Sequence, residues 1–411
     1  MRHLSRAVDA ESASCSIASE GGSWVSVTET TQSRRTMLYD EHVALGAAMT
    51  DYQWAGMAMP WSYRTSLAQE QRAVREQAGL ADVSQLRVVK VAGAGAVACL
   101  ERLLPRRVDD MAVGTSRFSV VLSRFGRICD EAIVLRIDAD EVWISHGCGA
   151  TRAQLARLVE AGEVSDVAIA HLDDVHALSL QGPASLQVLA ALASTAAVLE
   201  SLPFLAHRRI MVAGASVLVA RSGFTGELGF ELFCAGADVV VLWRALIEAG
   251  TPLGLVPYSY RCVDLLRIEA GFTLYPVDLA VAASLWDANL GWQVRDKRAD
   301  YVGKEAVARA RAVVAPKRSF AGLRLPGDHT IARGATVQRA ERVIGVVTSS
   351  AWSPASNETL CIVHVDEAER AGEAAASVAE ATGQLVRLPF RERRGGTGPS
   401  PVAPPATEPT S

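Results

Sequence analysis

The sequence predicts an α+β protein made of two paired α+β units and a small C-terminal β-barrel. Three observations carry that expectation. Helical and strand patterns alternate through the middle of the chain, a strand–glycine–helix unit occurs twice, and from Lys317 onward short strands separated by Gly and Pro replace the helical period. With 411 residues and a hydrophobic content of 49%, the chain is long enough for two or three domains with sizeable cores.

The first 36 residues are rich in Ser, Thr, Glu and Gly, have no apolar run of signal-peptide length, and are expected to form a disordered tail. Arg34-Arg35 looks like a twin-arginine signal only in passing, because Tyr39-Asp40-Glu41-His42 follow where an apolar stretch is needed. A first body is expected over residues 37–310. Within it, Ser66 opens a helix through Ala78, with Glu70 nearby. Arg87 to Val91 alternates as a strand, then come Gly93 and a helix over Ala96 to Leu104. The second copy runs His176 to Leu180, Gly182, then a helix in which Leu186, Leu189 and Leu192 take the places of Val97, Leu100 and Leu103. Two copies are too few for a solenoid, so each is expected to lay helices on one face of a mainly antiparallel sheet. The apolar stretch Ala184 to Leu199 is interrupted by Ser185, Gln187, Ser194 and Thr195, and is too short to span a bilayer, so it reads as a buried helix. Tyr301 to Val314 forms a helical bridge into the barrel, expected over 315–392 with strands at Ser319–Leu325, Val343–Ser349, Leu360–Val365 and Leu385–Leu388. Residues 393–411, rich in Pro, Gly, Ser and Thr, are expected to form a second disordered tail.

Composition narrows the function classes. A net charge of −4, from 41 basic and 45 acidic residues, gives no overall field for nucleic acid or an anionic membrane. The seven cysteines are scattered without a CxxC pair or a zinc-like cluster, which fits a reduced cytoplasmic setting and no metal. Gly93 and Gly95 lack the third glycine and the later acidic partner of a dinucleotide loop.

Two segments offer chemistry. In Arg221 to Phe233 the glycines at 223, 226 and 229 suit a loop approaching a ligand, and the strand that follows places Phe230 and Leu232 on one face, Glu231 and Phe233 on the other. Asp130 and Glu131 follow the turn at Gly126 and lead into a strand over Ala132 to Arg136, which puts adjacent carboxylates at a strand mouth. His146 closes a strand pattern over Glu141 to Ser145, as either a structural imidazole or a ligand contact.

Spaced blocks over roughly residues 37 to 392 resemble one family. They include Leu38-Tyr39-Asp40-Glu41-His42, Trp54 to Pro60, Gly79-Leu80-Ala81-Asp82-Val83-Ser84, Gly126 to Glu131, the glycine segment, Arg261 to Gly271, Leu290-Gly291-Trp292 and Gly345 to Ser349. In this order they resemble the glycine-cleavage T-protein (aminomethyltransferase) family of tetrahydrofolate-dependent one-carbon transferases. The resemblance implies a three-domain cloverleaf, two ferredoxin-like α+β domains and the barrel, around a central folate funnel. It implies tetrahydrofolate as acceptor and either a small molecule or a lipoyl-carrier protein as the C1 donor. Asp130 matches the family's key aspartate, expected to hydrogen-bond a ligand amine or accept its proton. Glu131 stands at a second acidic place, and Glu231 matches the glutamate that accepts from the pterin's amino edge. Arg261 matches a ligand-binding arginine, whose planar fork suits a carboxylate or carbonyl. Met59 and Trp54 fall in a loop that lines the pocket, and Arg391 and Arg393 lie where the C-terminal strand approaches the ligand. Arg267 reads instead as half of a structural ion pair with Glu269.

The chain departs from the family with Phe224 where Tyr is common, with His146 near a usual Asn, and with Pro276 after Leu274-Tyr275. These departures keep open a folate-dependent N-, O- or S-demethylase of a small methylated compound. A non-catalytic folate-binding protein is a further alternative. Against it, Val302-Gly303-Lys304-Glu305 lacks the Cys of a Lys-Gly-Cys-Tyr block typical of folate-binding maturation relatives.

Overall fold

The computed structural model describes residues 17–18, 24–25, 34–52, 56–147, 149–313, 317–370 and 374–395. Strands β1 (Ile17–Ala18) and β2 (Trp24–Val25) pair antiparallel. β3 (Arg34–Arg35), α1 (Tyr39–Ala44), β4 (Ala48–Tyr52) and β5 (Met57–Ser62) follow, with β5 central in a sheet of order β3-β5-β4. The expected tail boundary at residue 36 therefore falls inside structure. Arg35 pairs with Ala58, and buried Thr36 donates through Oγ1 to Asp82 Oδ2 at 2.6 Å. The rest of that tail, and Trp54, lie outside the described residues.

α2 (Leu67–Glu76) begins after its cap Ser66, as expected, and Gln69 closes the capping box. Glu70 is buried, and accepts from the Ser259 backbone N–H (2.9 Å) and hydroxyl (2.6 Å). α2 leads into β6 (Ala78–Asp82).

The first α+β unit is a five-stranded sheet of order β11-β7-β10-β9-β8, formed by β7 (Arg87–Ala92), β8 (Ser116–Leu122), β9 (Ile128–Arg136), β10 (Glu141–His146) and β11 (Ala168–His171). α3 (Ala96–Leu103) and α4 (Thr151–Glu160) cover one face, where Cys99, Leu100, Leu155 and Leu158 meet Val89, Val91, Val134 and Ile144. The second unit has the order β13-β14-β15-β12-β6-β16, from β12 (Val175–Gln181), β13 (His207–Val212), β14 (Ala215–Ala220), β15 (Gly229–Ala235), β6 and β16 (Leu255–Pro257). Its helices are α5 (Ser185–Leu192), α6 (Ala196–Glu200) and α7 (Gly236–Gly250). The expected single helix over Ala184 to Leu199 is thus two, because extended Ala193 pairs with Val212 between them.

The duplicated unit is present. Gly93 (φ +114°) and Gly182 (φ +116°) each turn a strand into a helix, and a Cβ would lie 2.3 Å from the Asp166 carbonyl oxygen at the first and 2.6 Å from that of Gln77 at the second. The helix-free faces of the two sheets meet through Val88, Leu135 and Trp143 on one side and Ala177, Leu218 and Phe233 on the other.

α8 (Tyr260–Glu269) and α9 (Lys304–Val313) precede a closed barrel of order β17-β20-β19-β18-β21-β22. Its strands are β17 (Arg318–Pro326), β18 (Thr336–Arg339), β19 (Arg342–Ser353), β20 (Glu358–Asp366), β21 (Ala375–Val378) and β22 (Ala381–Val386). β18 and β21 escape a sequence reading because each is four residues long, too short for alternation to register. The chain beyond the barrel remains part of the fold to Gly395, since Arg394 N–H (2.7 Å) and Gly395 N–H (3.0 Å) both donate to the Gly226 carbonyl. The tail expected from 393 thus starts too early, and 396–411 lie outside the described residues. Among the described residues no helix is long and apolar enough to cross a membrane.

Candidate functional site

A cavity of about 240 Å³ lies between the helix-free sheet faces, bordered by α8, the segment after it and Arg393. Strand alternation decides which acidic residues reach it. On β9, Ala132 and Val134 pack into the core under α3 and α4, and Asp130 shares their face; Glu131 and Ile133 point the other way, into the cavity. Of the two expected carboxylates, Glu131 lines the cavity and Asp130, fully buried, lies behind it.

Asp130 is fully buried. Its Oδ1 accepts from the Glu131 backbone N–H (2.9 Å), and its Oδ2 accepts from the Thr151 backbone N–H (3.2 Å) and hydroxyl (2.5 Å) and lies 3.0 Å from His146 Nδ1. Gly149 makes room, since a Cβ there would sit 2.4 Å from Asp130 Cγ. His146 is buried too, on the face of β10 that it shares with Asp130, and its Nε2 has no partner among the described residues.

Glu131 accepts from the Tyr275 backbone N–H at 2.9 Å. Burial pushes its carboxyl up to about 8; the Tyr275 bond opposes the rise, Asp130 and Asp278 add to it, and Arg267 opposes it. Glu231 arrives from β15 with the alternation expected, Phe230 and Leu232 in the core beneath α7. Its Oε2 accepts from the Ser222 hydroxyl at 2.5 Å; burial raises its carboxyl above the ordinary range and the Ser222 bond holds it down.

Phe224 stacks on Phe272, with centroids 5.2 Å apart and 13° between planes, and the Arg393 guanidinium lies 4.3 Å from the centroid of Phe272. Arg393 Nε donates to the Ala270 carbonyl (2.8 Å), its Nη2 has no partner among the described residues, and burial lowers its pKa to about 10.

The remaining candidates do not converge here. On α8 the cavity takes Tyr260, Val263, Asp264 and Arg267, the i, i+3, i+4, i+7 face, and this leaves Arg261 exposed. Met59 is fully buried against Met57 and Tyr260, one layer behind the wall. Arg391 lies outside the lining, with Nε 3.8 Å from Glu227 Oε1, so that of these two C-terminal arginines Arg393 is the one that reaches it. Arg267 is structural in its bonds, but its partners are Asp264 and Asp278, each at 2.7 Å, while Glu269 pairs with Arg75 at 2.6 Å. Ser222, Phe272 and the Tyr275 backbone were not singled out by sequence. Ser222 carried a signal, lying inside the glycine segment that bears Glu231.

A profile of the GCVT N-terminal domain matches residues 38–298, more than half of the chain. The chain belongs to the glycine-cleavage T-protein family. An aminomethyltransferase of Streptomyces avermitilis is 37% identical over 370 residues, covering 88% of this chain and 98% of the relative. The heme-dependent oxidative N-demethylase gamma subunit of Ectopseudomonas mendocina is 30% identical over 342 residues, covering 81% and 88%. The crystal structure of glycine cleavage system aminomethyltransferase T from Bartonella henselae superposes with a TM-score of 0.79 at 26% identity, covering 89% of this chain and all of that one. The expected α+β fold with a C-terminal barrel is the fold of this family.

Proposed function

We propose that the protein is a tetrahydrofolate-dependent one-carbon transferase of the aminomethyltransferase type, with a small molecule or a lipoyl-carrier protein as donor. One observation carries the reading: Glu131 and Glu231, about a hundred residues apart in sequence, share one cavity walled by aromatic rings. The residues suit a reduced folate. Glu231 can accept paired N–H donors of a flat aminopyrimidine, the Phe224 and Phe272 rings offer a planar surface, and the guanidinium of Arg393, stacked on Phe272 at the cavity lining, suits a carboxylate or carbonyl. When bound, tetrahydrofolate supplies the amine nitrogens that receive the one-carbon unit.

Glu131 takes the role expected of Asp130. With its carboxyl raised to about 8 it holds a proton at neutral pH and can donate or take one at a ligand amine. The α8 face and Arg393 border the cavity and reduce the space open to water beside a bound ligand. The reading carries a cytoplasmic setting with it, in which buried Cys99, Cys234, Cys262 and Cys361 stay reduced.

A second reading, folate-dependent demethylation, is favoured by the demethylase gamma-subunit relative and by Phe224 in place of the common Tyr. The product separates the two. Incubation with tetrahydrofolate and candidate donors, followed by mass spectrometry of the folate, gives methylenetetrahydrofolate with ammonia for aminomethyl transfer and methyltetrahydrofolate for demethylation. An unchanged folate with every donor, from protein that also fails to bind it, overturns both.

A further inference from the structure

Arg106, Arg267 and Arg393 border the cavity, and they differ in which edge of the guanidinium is free. Arg267 is held by Asp264 and Asp278, each at 2.7 Å. Arg393 commits Nε to the Ala270 carbonyl, and its Nη2 is buried. Arg106 is bound the other way round. Its Nη1 donates to the Phe118 carbonyl at 2.7 Å, which leaves Nε and Nη2, the side-on edge that meets a carboxylate with two parallel N–H bonds. Among the described residues neither nitrogen has a protein partner, and neither is shut off from solvent. The acids nearest in sequence are taken, Asp109 by Arg107 and Asp110 by Arg117. The group is also held in place. Its Cζ lies 4.7 Å from the centroid of the Trp292 ring, and Trp292 is fixed against β8 by its neighbour, since Gln293 Oε1 accepts the Val120 backbone N–H at 3.1 Å. Burial lowers the Arg106 pKa to about 10, Arg117 adds to the fall and Asp110 opposes it, so the group is a cation at neutral pH. A half-buried cation without a counter-charge is costly, and an anionic ligand removes that cost.

Resting on the one-carbon-transfer reading above, we propose that Arg106, braced by Phe118 and Trp292, anchors a carboxylate of the donor, and that the donor is therefore a small anionic molecule. Position sets its size. Phe118 pairs with Ile133 and Val120 with Glu131, so the anchor and the Glu131 carboxyl stand two residues apart along the β8–β9 ladder, roughly 7 Å. A compound with a carboxylate a few bonds from the heteroatom that bears the one-carbon unit spans that distance, its carboxylate on Nε–H and Nη2–H of Arg106 and its heteroatom at Glu131. The lipoyl arm of a carrier protein has no carboxylate to offer this edge. The glutamate of tetrahydrofolate is the competing source of one, and the experiment separates the two.

Calorimetry on protein saturated with tetrahydrofolate titrates N-methylglycine and N-methyl-β-alanine beside their carboxamides, which keep the size and the amine but lose the negative charge. Wild type is expected to bind at least one acid about 10- to 10²-fold more tightly than its amide, the worth of a charge-assisted pair. Arg106→Gln is expected to abolish that preference while keeping the Kd of tetrahydrofolate, and of tetrahydropteroate, which lacks the glutamate, within about threefold. Arg106→Lys, with the charge but not the fork, falls between. Wild type alone decides the first point: acids bound no more tightly than amides, or a folate product formed only with a lipoyl-carrier donor, overturn the proposal and leave the one-carbon reading intact. An acid preference that survives in Arg106→Gln overturns it as well. Weakened tetrahydrofolate beside unchanged tetrahydropteroate in that variant assigns the cation to the folate tail, and this too overturns the donor anchor. Wild-type protein that binds no tetrahydrofolate sinks the one-carbon reading and this inference together.

Discussion

Glu131 on β9 and Glu231 on β15 are the same side chain presented to one cavity by two sheets, and their neighbours give them different states. Burial raises both carboxyls. Glu131 has a single backbone N–H from Tyr275 to offset it, and Asp130 and Asp278 add like charge, so its carboxyl rises to about 8. Glu231 faces no such pair of carboxylates and takes the Ser222 hydroxyl, a bond that favours the ionised form. One carboxyl is thereby suited to carrying a proton and the other to accepting hydrogen bonds. Local charge and donor count, more than residue type, set the two carboxyls apart.

The largest expected effect breaks or keeps that division directly. Glu131→Gln preserves shape but cannot release a proton, and the single-turnover rate is expected to fall by about 10²- to 10⁴-fold with tetrahydrofolate affinity nearly unchanged. Glu231→Gln is expected to show the opposite pattern, with affinity weakened by about 10- to 10²-fold, the worth of a charge-assisted hydrogen bond, and a smaller change in rate at saturation. Calorimetry beside rapid quench checks both. Matching profiles for the two variants would mean that the carboxylates act as a pair.

A smaller effect sharpens the contrast between the cavity and its surroundings. Arg393→Ala removes a guanidinium that stacks on Phe272 and is expected to weaken tetrahydrofolate binding by about fivefold to thirtyfold. Arg261→Ala, on the exposed face of α8, is expected to leave affinity within about twofold. The same calorimetric titration decides between the two arginines. Loss of binding in Arg261→Ala alone would restore the position expected from family resemblance.

Much of the architecture is legible in the sequence because it rests on local signals. Gly93 and Gly182 mark two equivalent strand–helix turns, and the alternation around Glu231 assigns its face correctly. Around Asp130 the same logic fails. Cys129, Glu131, Ile133 and Leu135 alternate with Asp130, Ala132, Val134 and Arg136, so each face carries apolar residues and one acid. β9 is buried on both faces, under helices on one and against the second sheet on the other, and a doubly buried strand has no polar face to orient it. Arg261 and Arg393 show a different limit. The helical period puts Val263 and Arg267 on one face with certainty but not which face meets a cavity, and Arg393 sits in a Gly- and Pro-rich stretch whose place is fixed by distant bonds to Gly226 and Ala270.

The smallest effect tests the electrostatic origin of the comparison and needs no ligand. Glu131 titrates near 8 when folded against about 4.3 in an unfolded chain, so the folded state binds its proton more tightly across that interval. Its contribution to stability is full below the unfolded value and is lost as pH rises through about 8. Glu131→Gln has no such proton to lose. The melting temperature of wild type relative to Glu131→Gln is therefore expected to fall by a few degrees between about pH 5 and pH 8.5, with the two curves closest at the acidic end. Glu231→Gln is expected to show the same sign with a shallower fall, because Ser222 already stabilises its ionised form. Differential scanning calorimetry over that range measures all three proteins. Parallel wild-type and Glu131→Gln curves would show that the folded state does not raise this carboxyl, and would remove the physical basis for assigning the two glutamates different roles.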